Sequence, residues 1–156
     1  MKIVLYDFKT AKEEWFEAAA KIYTKKISHF VNFEIKSLKT TKTQRSEKSI
    51  KLKSEESELL TKFTKDDFIV LFDERGQSIS SEDFSNIFSK IELQGKKRIV
   101  CIIGGAYGVS NEVKKKANLT LSLSNFVFNH LVAEIVVLEQ IYRAYTIKNR
   151  IPYHNI

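Results

Sequence analysis

Residues 98–113 read RIVCIIGGAYGVSNEV, and this stretch decides the fold. It opens with five apolar residues after Arg98, a run that is typical of a strand covered on both faces of a sheet. Three glycines follow within residues 104–108, and Ser110 then precedes a charged segment that can begin a helix. The order of strand, glycine turn and helix start is that of an α/β unit.

The same alternation extends outward along the chain. The predicted strands are residues 3–8, 31–38, 68–72, 98–103 and 119–123. Apolar residues three and four positions apart predict a helix after residue 14, another beginning near Ser80, and a long one over residues 130–148. In the first of these helices the predicted apolar face is Trp15, Phe16, Ala19, Ile22 and Tyr23. We therefore predict an α/β fold with a mostly parallel sheet flanked by helices, in one domain over residues 1–156.

The composition limits the class of protein. The 156 residues are 43% hydrophobic and 29% charged, with five Gly and one Pro, which excludes disordered and collagen-like chains. A net charge of +7 favours an anionic partner. No stretch approaches 18 uncharged apolar residues, so no membrane span is expected, and the opening MKIVLYDFKT lacks a secretory apolar core. These features predict a cytoplasmic protein.

Cysteine and histidine do not indicate a metal site. Cys101 is the single cysteine and lies in an apolar run, so we expect inert core rather than a disulfide or a cysteine cluster. The histidines, His29, His130 and His154, are widely spaced, and we expect no close acidic or cysteine companions around them. This is a poor pattern for metal ligation, and we predict no bound metal.

A basic residue recurs at every third position of one segment, at Lys36, Lys39, Lys42, Arg45, Lys48 and Lys51. On an α-helix a three-residue step drifts backwards by about 60° each time, so these residues would wind around the helix rather than form a stripe. We interpret residues 36–53 as a loop, with residues 40–44 as its mobile part. The segment is either a solvated charged loop or an arm that contacts phosphates and whose binding weakens as the salt concentration rises. The solvated loop is favoured.

Two turns without charge are candidates for holding a ligand. The GGAYG turn at residues 104–108 lets backbone approach a ligand closely, and free N–H groups at the next helix start favour acceptors. Its spacing is not GxGxxG and no Walker lysine follows, so a plain strand-to-helix turn fits equally well. The SLSNFVFN loop at residues 122–129 can offer backbone groups to an adenine, and the alternative is a buried connection.

The C-terminal helix pattern is apolar around most of its circumference. Its apolar residues are too many for one stripe: Leu131, Val132, Ile135, Val136, Leu138, Ile141, Tyr142, Tyr145 and Ile147. A helix of this kind is buried on most sides, and in so short a chain one side needs a partner, so we predict a homodimer. Glu139 and Arg143 are four residues apart on this helix and can pair, at its surface or within a site.

Several separate motifs resemble those of one known family. The segments IIGGAYGVSNEVKKKA, LSLSNFVFNH and LEQIYRAY and the tail PYH are similar to those of ribosomal RNA large subunit methyltransferase H. These are SPOUT-class enzymes that methylate N3 of a pseudouridine in 23S rRNA. The resemblance runs along the whole chain and implies an S-adenosyl-L-methionine-dependent methyltransferase that acts on the ribosome. It also implies a SPOUT-type fold with a C-terminal trefoil knot, which general topology rules disfavour.

The resemblance also implies the site residues. Cofactor contacts fall, by position, on Phe72, Gly104, Leu123, Ser124, Asn125, Phe126, Val127 and Phe128. Catalytic positions fall on His130, Glu139, Arg143, Tyr153 and His154, with a partner subunit completing the site. Because N3 must lose a proton, we expect His154 or Glu139 near that proton and Arg143 near developing negative charge or a phosphate.

Some residues depart from the family pattern. Asn129 stands where Pro is usual, Glu134 where Arg is usual, and Phe72 where Leu is usual. An acid beside RNA repels phosphate, and Glu134 therefore supports an alternative function, a non-catalytic RNA- or ribosome-binding protein that retains the SPOUT fold. A flavodoxin-like regulator is a third possibility, with Asp73 and Glu74 as its acidic candidates.

Overall fold

The computed structural model describes residues 1–8, 13–40 and 47–155 of the chain. The strands within these ranges are β1 (Lys2–Asp7), β2 (Asn32–Ser37), β3 (Asp67–Ser78), β4 (Arg98–Ile103) and β5 (Leu119–Ser122). The helices are α1 (Glu14–Ser28), α2 (Lys48–Leu60), α3 (Ser81–Leu93), α4 (Asn111–Lys116) and α5 (His130–Lys148). All the predicted strands are present, and β3 continues past its predicted end at Phe72 as far as Ser78.

The described strands form one parallel sheet in the order β2-β1-β4-β3-β5. Strand β4, which begins the stretch quoted at the outset, lies at the centre of the sheet. The α/β fold with a parallel sheet flanked by helices is confirmed. The trefoil knot and the single domain over residues 1–156 stay predictions.

Alternate residues of the central strands enter two cores on opposite faces of the sheet. Ile3 and Leu5 of β1 belong to the core that α1, α3 and α5 cover. Val4 and Tyr6 belong to the core that α2 and α4 cover. Burial on both faces explains why the central strands read as continuous apolar runs rather than as alternating ones.

The apolar face of α1 differs from the one predicted. Phe16, Ala20 and Ile27 are buried, whereas Trp15 and Ile22 are 50% and 54% exposed. The prediction was wrong for Trp15 and Ile22 because the helix presents only a narrow stripe to the sheet. Together with the partly buried Tyr23, the buried residues follow a four-, three- and four-residue spacing that completes the stripe without Trp15 and Ile22.

The basic segment is not a continuous loop. Lys36 lies in β2, and Lys48 and Lys51 lie on α2, a helix that was not predicted. The loop interpretation is therefore wrong for residues 36–37 and 48–53. Most of its predicted mobile part, residues 41–44 with Lys42, lies outside the described residues, as does Arg45. Among the described helices, none is both long and apolar enough to cross a membrane.

An ion pair joins the starts of β3 and β4. The Asp67 side chain is almost fully buried and accepts hydrogen bonds from Arg98 Nε at 2.8 Å and Nη2 at 2.6 Å, and from the Thr64 N–H at 2.7 Å. Burial acts to raise the pKa of Asp67, but these hydrogen bonds outweigh it and leave the pKa below its usual value. The Asp67 carboxylate is thus held in its charged form.

Replacement of this carboxylate is expected to destabilise the fold. Asp67→Asn leaves Arg98 without its charged partner, and we expect the free energy of unfolding at pH 7 to fall by about 2 kcal/mol in a denaturant titration. A group with a lowered pKa stabilises above its unfolded pKa of about 4, and this contribution is lost as pH falls. The difference between the two proteins should therefore shrink below pH 4. Asp66→Asn, at an exposed neighbour, is the control, and equal losses in both variants would contradict the argument.

Candidate active site

A cavity of about 990 Å³ opens at the carboxyl ends of β4 and β5 and beside the middle of β3. Its walls include the strand ends Ile103 and Ser122, and also Phe72, the residue at which β3 stops pairing with β4. Ligands of parallel α/β sheets bind outside the carboxyl ends of the strands, and cavities of this size accommodate small molecules and cofactors. The cavity therefore lies where a ligand site is expected.

The glycine turn forms one wall of this cavity. Gly108 has a φ of +74°, and its N–H donates to the Gly105 carbonyl at 2.9 Å. A Cβ on Gly104 would lie 2.6 Å from the carbonyl carbon of Gly108 and 2.8 Å from its oxygen. The turn folds so tightly on itself that only a hydrogen atom fits at position 104.

The loop before α5 forms the opposite wall. Ser124 Oγ accepts from the Phe126 N–H at 3.0 Å, and Asn129 Oδ1 caps α5 by accepting from the Leu131 N–H at 3.0 Å. Phe126 and Val127 are 82% and 81% exposed, so the alternative of a buried connection is wrong at these two residues.

The structure brings together all but one of the residues predicted to contact a cofactor. The cavity is lined by Phe72, Gly104, Leu123, Ser124, Phe126, Val127 and Phe128. Asn125 is exposed and does not line it. His130, which was predicted as a catalytic residue, lies in the wall of the same cavity.

Helix α2 supplies a further wall that sequence reasoning missed. Lys48 and Lys53 line the cavity, and the Lys48 and Lys51 ammonium groups lie 5.6 and 5.9 Å from the centre of the Tyr107 ring. Glu55 is buried behind them, where a Cβ on Gly105 would lie 2.7 Å from its carboxylate. Burial raises the pKa of Glu55. Helix α2 thus packs against the glycine turn through a buried carboxyl group and two cation–π contacts.

Among the residues that the structure describes, the formally charged side chains of the cavity wall lie on α2, on α4 and in the part of β3 after Phe72. The charged lining residues are Lys48, Lys53, Glu56, Asp73, Glu74, Arg75 and Lys114. Lys114 pairs with Asp73 at 3.3 Å. The loop of residues 122–129 has no charged side chain. A cationic centre in the ligand is therefore best accommodated beside this loop, away from the lysines.

A second cluster lies near the end of α5 and in the following tail. Glu139 Oε1 accepts from Arg143 Nε at 3.0 Å, from Arg143 Nη2 at 2.5 Å and from the Tyr153 hydroxyl at 3.0 Å. Arg143 Nη1 lies 3.0 Å from His154 Nδ1, and the Arg143 guanidinium lies over the Tyr153 ring. The predicted pair Glu139 and Arg143 is thus part of a four-residue network.

The electrostatics of this network favour a charged Arg143 and a neutral Tyr153. The Glu139 carboxylate raises the pKa of Arg143. Burial and the hydrogen bond to Glu139 raise the pKa of Tyr153. The guanidinium therefore remains a fixed positive charge, and the Tyr153 phenol remains a hydrogen-bond donor.

The two groups of predicted residues lie apart in one chain. His130 and Arg143 are at opposite ends of α5, and thirteen residues of helix separate them by about 20 Å. None of Glu139, Arg143, Tyr153 and His154 lines the cavity. One subunit therefore holds a cavity and a polar network that do not meet.

His130 has two acidic neighbours, of which its sequence position reveals only Glu134, four residues further along α5. One ligand-type atom each of Asp7, His130 and Glu134 lies within 4.8 Å of the other two. The prediction that the histidines lack close acidic companions was therefore wrong, because the fold brings the end of β1 beside α5. Glu134 is fully buried inside the chain. The expectation that this acid faces and repels RNA phosphate was therefore also wrong.

Cys101 behaves as predicted. It is fully buried in β4, and burial raises the pKa of its thiol to about 12. A thiol with this pKa is not a nucleophile at neutral pH.

Comparisons with known proteins agree with the resemblance. Residues 1–154 match the family model described as "Predicted SPOUT methyltransferase". The chain is 50% identical over 157 residues to ribosomal RNA large subunit methyltransferase H of Bdellovibrio bacteriovorus, with 100% of each chain covered. It is 40% identical over 148 residues to the protein of the same name from Christiangramia forsetii, with 94% of each chain covered. Among solved structures, a probable methylase family protein from Haemophilus influenzae is similar with a TM-score of 0.49 and 11% identity, covering 96% of this chain and 66% of that one.

Proposed function

The chain belongs to the SPOUT methyltransferase family, in the group of ribosomal RNA large subunit methyltransferase H, and on this basis we propose its reaction. It transfers a methyl group from S-adenosyl-L-methionine to N3 of a pseudouridine in 23S rRNA of the assembled ribosome. Such a substrate makes the cytoplasm its place of action. The protein acts as a homodimer and uses no metal.

The observation that carries the proposal is the cavity between the glycine turn and the loop of residues 122–129. Its volume of about 990 Å³ is sufficient for a nucleoside with an amino-acid side arm. Its walls offer backbone groups at Gly104 and Leu123, with apolar cover from Phe72. The uncharged loop suits a sulfonium cation, which a basic wall would repel. These features fit S-adenosyl-L-methionine.

The bound cofactor supplies an electrophilic methyl group on positively charged sulfur. The glycine turn and the loop hold that group in one orientation, which matters because transfer requires the nitrogen and the methyl carbon to be aligned. Arg143 provides a fixed positive charge for the negative charge that develops as N3 loses its proton. Tyr153 and Glu139 hold the guanidinium in place.

Both predicted bases, Glu139 and His154, already take part in hydrogen bonds, and acceptance of the N3 proton by His154 requires one of them to open. Glu139 Oε1 already accepts from Arg143 and Tyr153, and its Oε2 accepts from Gln140 at 2.8 Å. Both ring nitrogens of His154 also have partners. We propose that substrate entry displaces one of these contacts and frees the group that takes the proton.

The homodimer rests on the separation of the cavity from the polar network. A two-fold partner can bring its own Arg143 to the cavity that this chain forms, which one chain alone does not do. Exposed apolar side chains lie beside the cavity at Phe126, Val127 and Val132. Large apolar residues exposed together commonly mark an interface, and these would be covered by the partner.

The non-catalytic alternative depended on Glu134, and the position of this residue removes that support. Its support was an acid at Glu134 facing RNA, and Glu134 is buried inside the chain. The regulator alternative needs free acidic groups, but Asp73 is paired with Lys114. No described feature favours either alternative over methyl transfer.

The reaction is tested by transfer of a labelled methyl group. We expect ribosomes that lack the modification to accept label from S-adenosyl-L-methionine in the presence of the protein, at N3 of one pseudouridine located by digestion and mass spectrometry. Already modified ribosomes are the control and should accept none. Binding of the cofactor without any transfer to ribosomes would contradict the proposed function in favour of an inactive relative.

A further inference from the structure

We propose that Glu82, at the start of α3, is a positioning residue that fixes the ring of His154 and, through it, the guanidinium of Arg143. This inference rests on the proposed function, because it assigns a role to the polar network in that reaction. Glu82 lies 72 residues from His154 in sequence, yet its Oε1 lies 2.6 Å from His154 Nε2. No sequence pattern had singled it out.

The tautomer of His154 follows from its two partners. A guanidinium group has only hydrogen-bond donors, so Arg143 Nη1 donates to His154 Nδ1 across 3.0 Å, and Nδ1 has no proton. The proton of the neutral ring is then on Nε2, where it is donated to Glu82. A carboxylate at Nε2 and a guanidinium at Nδ1 select the same tautomer from both sides.

Glu82 is itself held in the ionised form. Its own backbone N–H, and after it His154 and Ser80, hold the pKa of the Glu82 carboxyl below its usual value. The side chain lies in the first turn of α3, where a negative charge is favourable. Glu82 is therefore a charged acceptor at neutral pH and suits an Nε2–H donor.

The start of α3 holds the network at a second point. Ser81 Oγ donates to Gln140 Oε1 at 2.7 Å, and Gln140 Nε2 donates to Glu139 Oε2 at 2.8 Å. Two adjacent residues of α3 thus restrain the two acceptors of Arg143, Glu139 through Gln140 and His154 directly. Hydrogen bonds from the start of α3 therefore fix the position of the Arg143 guanidinium.

The role of Glu82 is tested with three variants and two readouts. Nitrogen-15 NMR of the His154 ring reports its tautomer, and steady-state kinetics on unmodified ribosomes report kcat. In Glu82→Ala the His154 ring loses its anchor at Nε2 and can turn away from Arg143, so we expect ring shifts typical of exchanging tautomers. We expect kcat to be lower by about tenfold, the value of one hydrogen bond to a charged group. For Glu82→Gln, whose amide oxygen still accepts from Nε2–H, we expect the fixed tautomer and a kcat within about threefold of the original.

Asp83→Ala is the matched control, because Asp83 is an exposed acid in the same first turn of α3. We expect it to change neither readout, and cofactor affinity should be unchanged in all three variants because neither Glu82 nor Asp83 lines the cavity. The inference is overturned if the unsubstituted protein lacks the Nε2–H tautomer, if Glu82→Ala retains it, or if Asp83→Ala loses as much kcat.

Two further outcomes are distinguishable. If Glu82→Ala does not fold, the test depends on Glu82→Gln alone. Loss of the fixed His154 tautomer in that variant then contradicts the inference. Should no ribosome accept a methyl group from the unsubstituted protein, the proposed function fails. The NMR comparison then still decides whether Glu82 fixes His154.

Discussion

Gly104→Val is expected to abolish binding of S-adenosyl-L-methionine. A Cβ at this position would lie 2.6 Å from the Gly108 carbonyl carbon, a backbone atom that cannot swing aside as a side chain does. The turn must therefore open, and the wall that it presents to the cavity must change shape. We expect isothermal titration calorimetry to give an affinity at least about 100-fold weaker than that of the unsubstituted protein, because an oriented backbone cradle is lost.

A second glycine provides the control for this variant. Gly95 has a φ of +71°, and a Cβ at this position would have no neighbour within 4 Å, so Gly95→Asn adds a side chain without a clash. Asn tolerates this left-handed conformation, and we expect binding to be unchanged. Circular dichroism separates a local change at the turn from general unfolding. A folded Gly104→Val that binds the cofactor within about threefold of normal would contradict the assignment of the cavity.

The sequence predicted those parts of the fold in which local pattern and tertiary environment agree. Strand β4 is apolar because both faces of the sheet are covered, and its observed bounds coincide with the prediction. Ser80 and Ser110 cap α3 and α4 by accepting from backbone N–H groups three residues on, as their positions before charged segments indicated. At β4 and at the starts of α3 and α4, the local sequence is therefore sufficient to predict the structure.

The parts that could not be predicted depend on contacts between distant residues. Helix α2 has no side-chain cap and no acidic residue in its first turn, and it packs through the buried side chains of Glu55 and Leu59. Glu134 looked like a surface residue because an acid is rarely fully buried, but Asp7 and His130 lie beside it in the fold. The link between Glu82 and His154 spans 72 residues and has no local signature.

Within the candidate site, the family resemblance named residues but not how they are grouped in space. Seven of eight predicted cofactor residues line one cavity, and the exception, Asn125, is exposed outside it. His130 was grouped with Arg143 as catalytic, although α5 holds them about 20 Å apart. The names of the site residues do not say which subunit supplies each of them. A mixed dimer answers that question.

A purified mixed dimer of Gly104→Val and Arg143→Ala chains is expected to recover about half of the normal methyl transfer, although each variant alone is inactive. Arg143→Ala removes the charge that faces developing negative charge, and we expect its homodimer to lose at least about 100-fold in kcat. In the mixed dimer one composite site combines the intact cavity of the Arg143→Ala chain with the intact Arg143 of the Gly104→Val chain. The other site combines both defects.

The reciprocal mixture makes the result decisive. A dimer of one unsubstituted chain and one chain with both substitutions contains the same two changes, but each of its composite sites then has one defect. We expect it to be inactive, whereas a site formed within single chains would make this dimer half active and the first one inactive. Two different affinity tags isolate the mixed dimers, and label transferred to ribosomes measures both. Because the two arrangements predict opposite outcomes, the pair of dimers shows whether the partner's Arg143 serves the cavity of this chain.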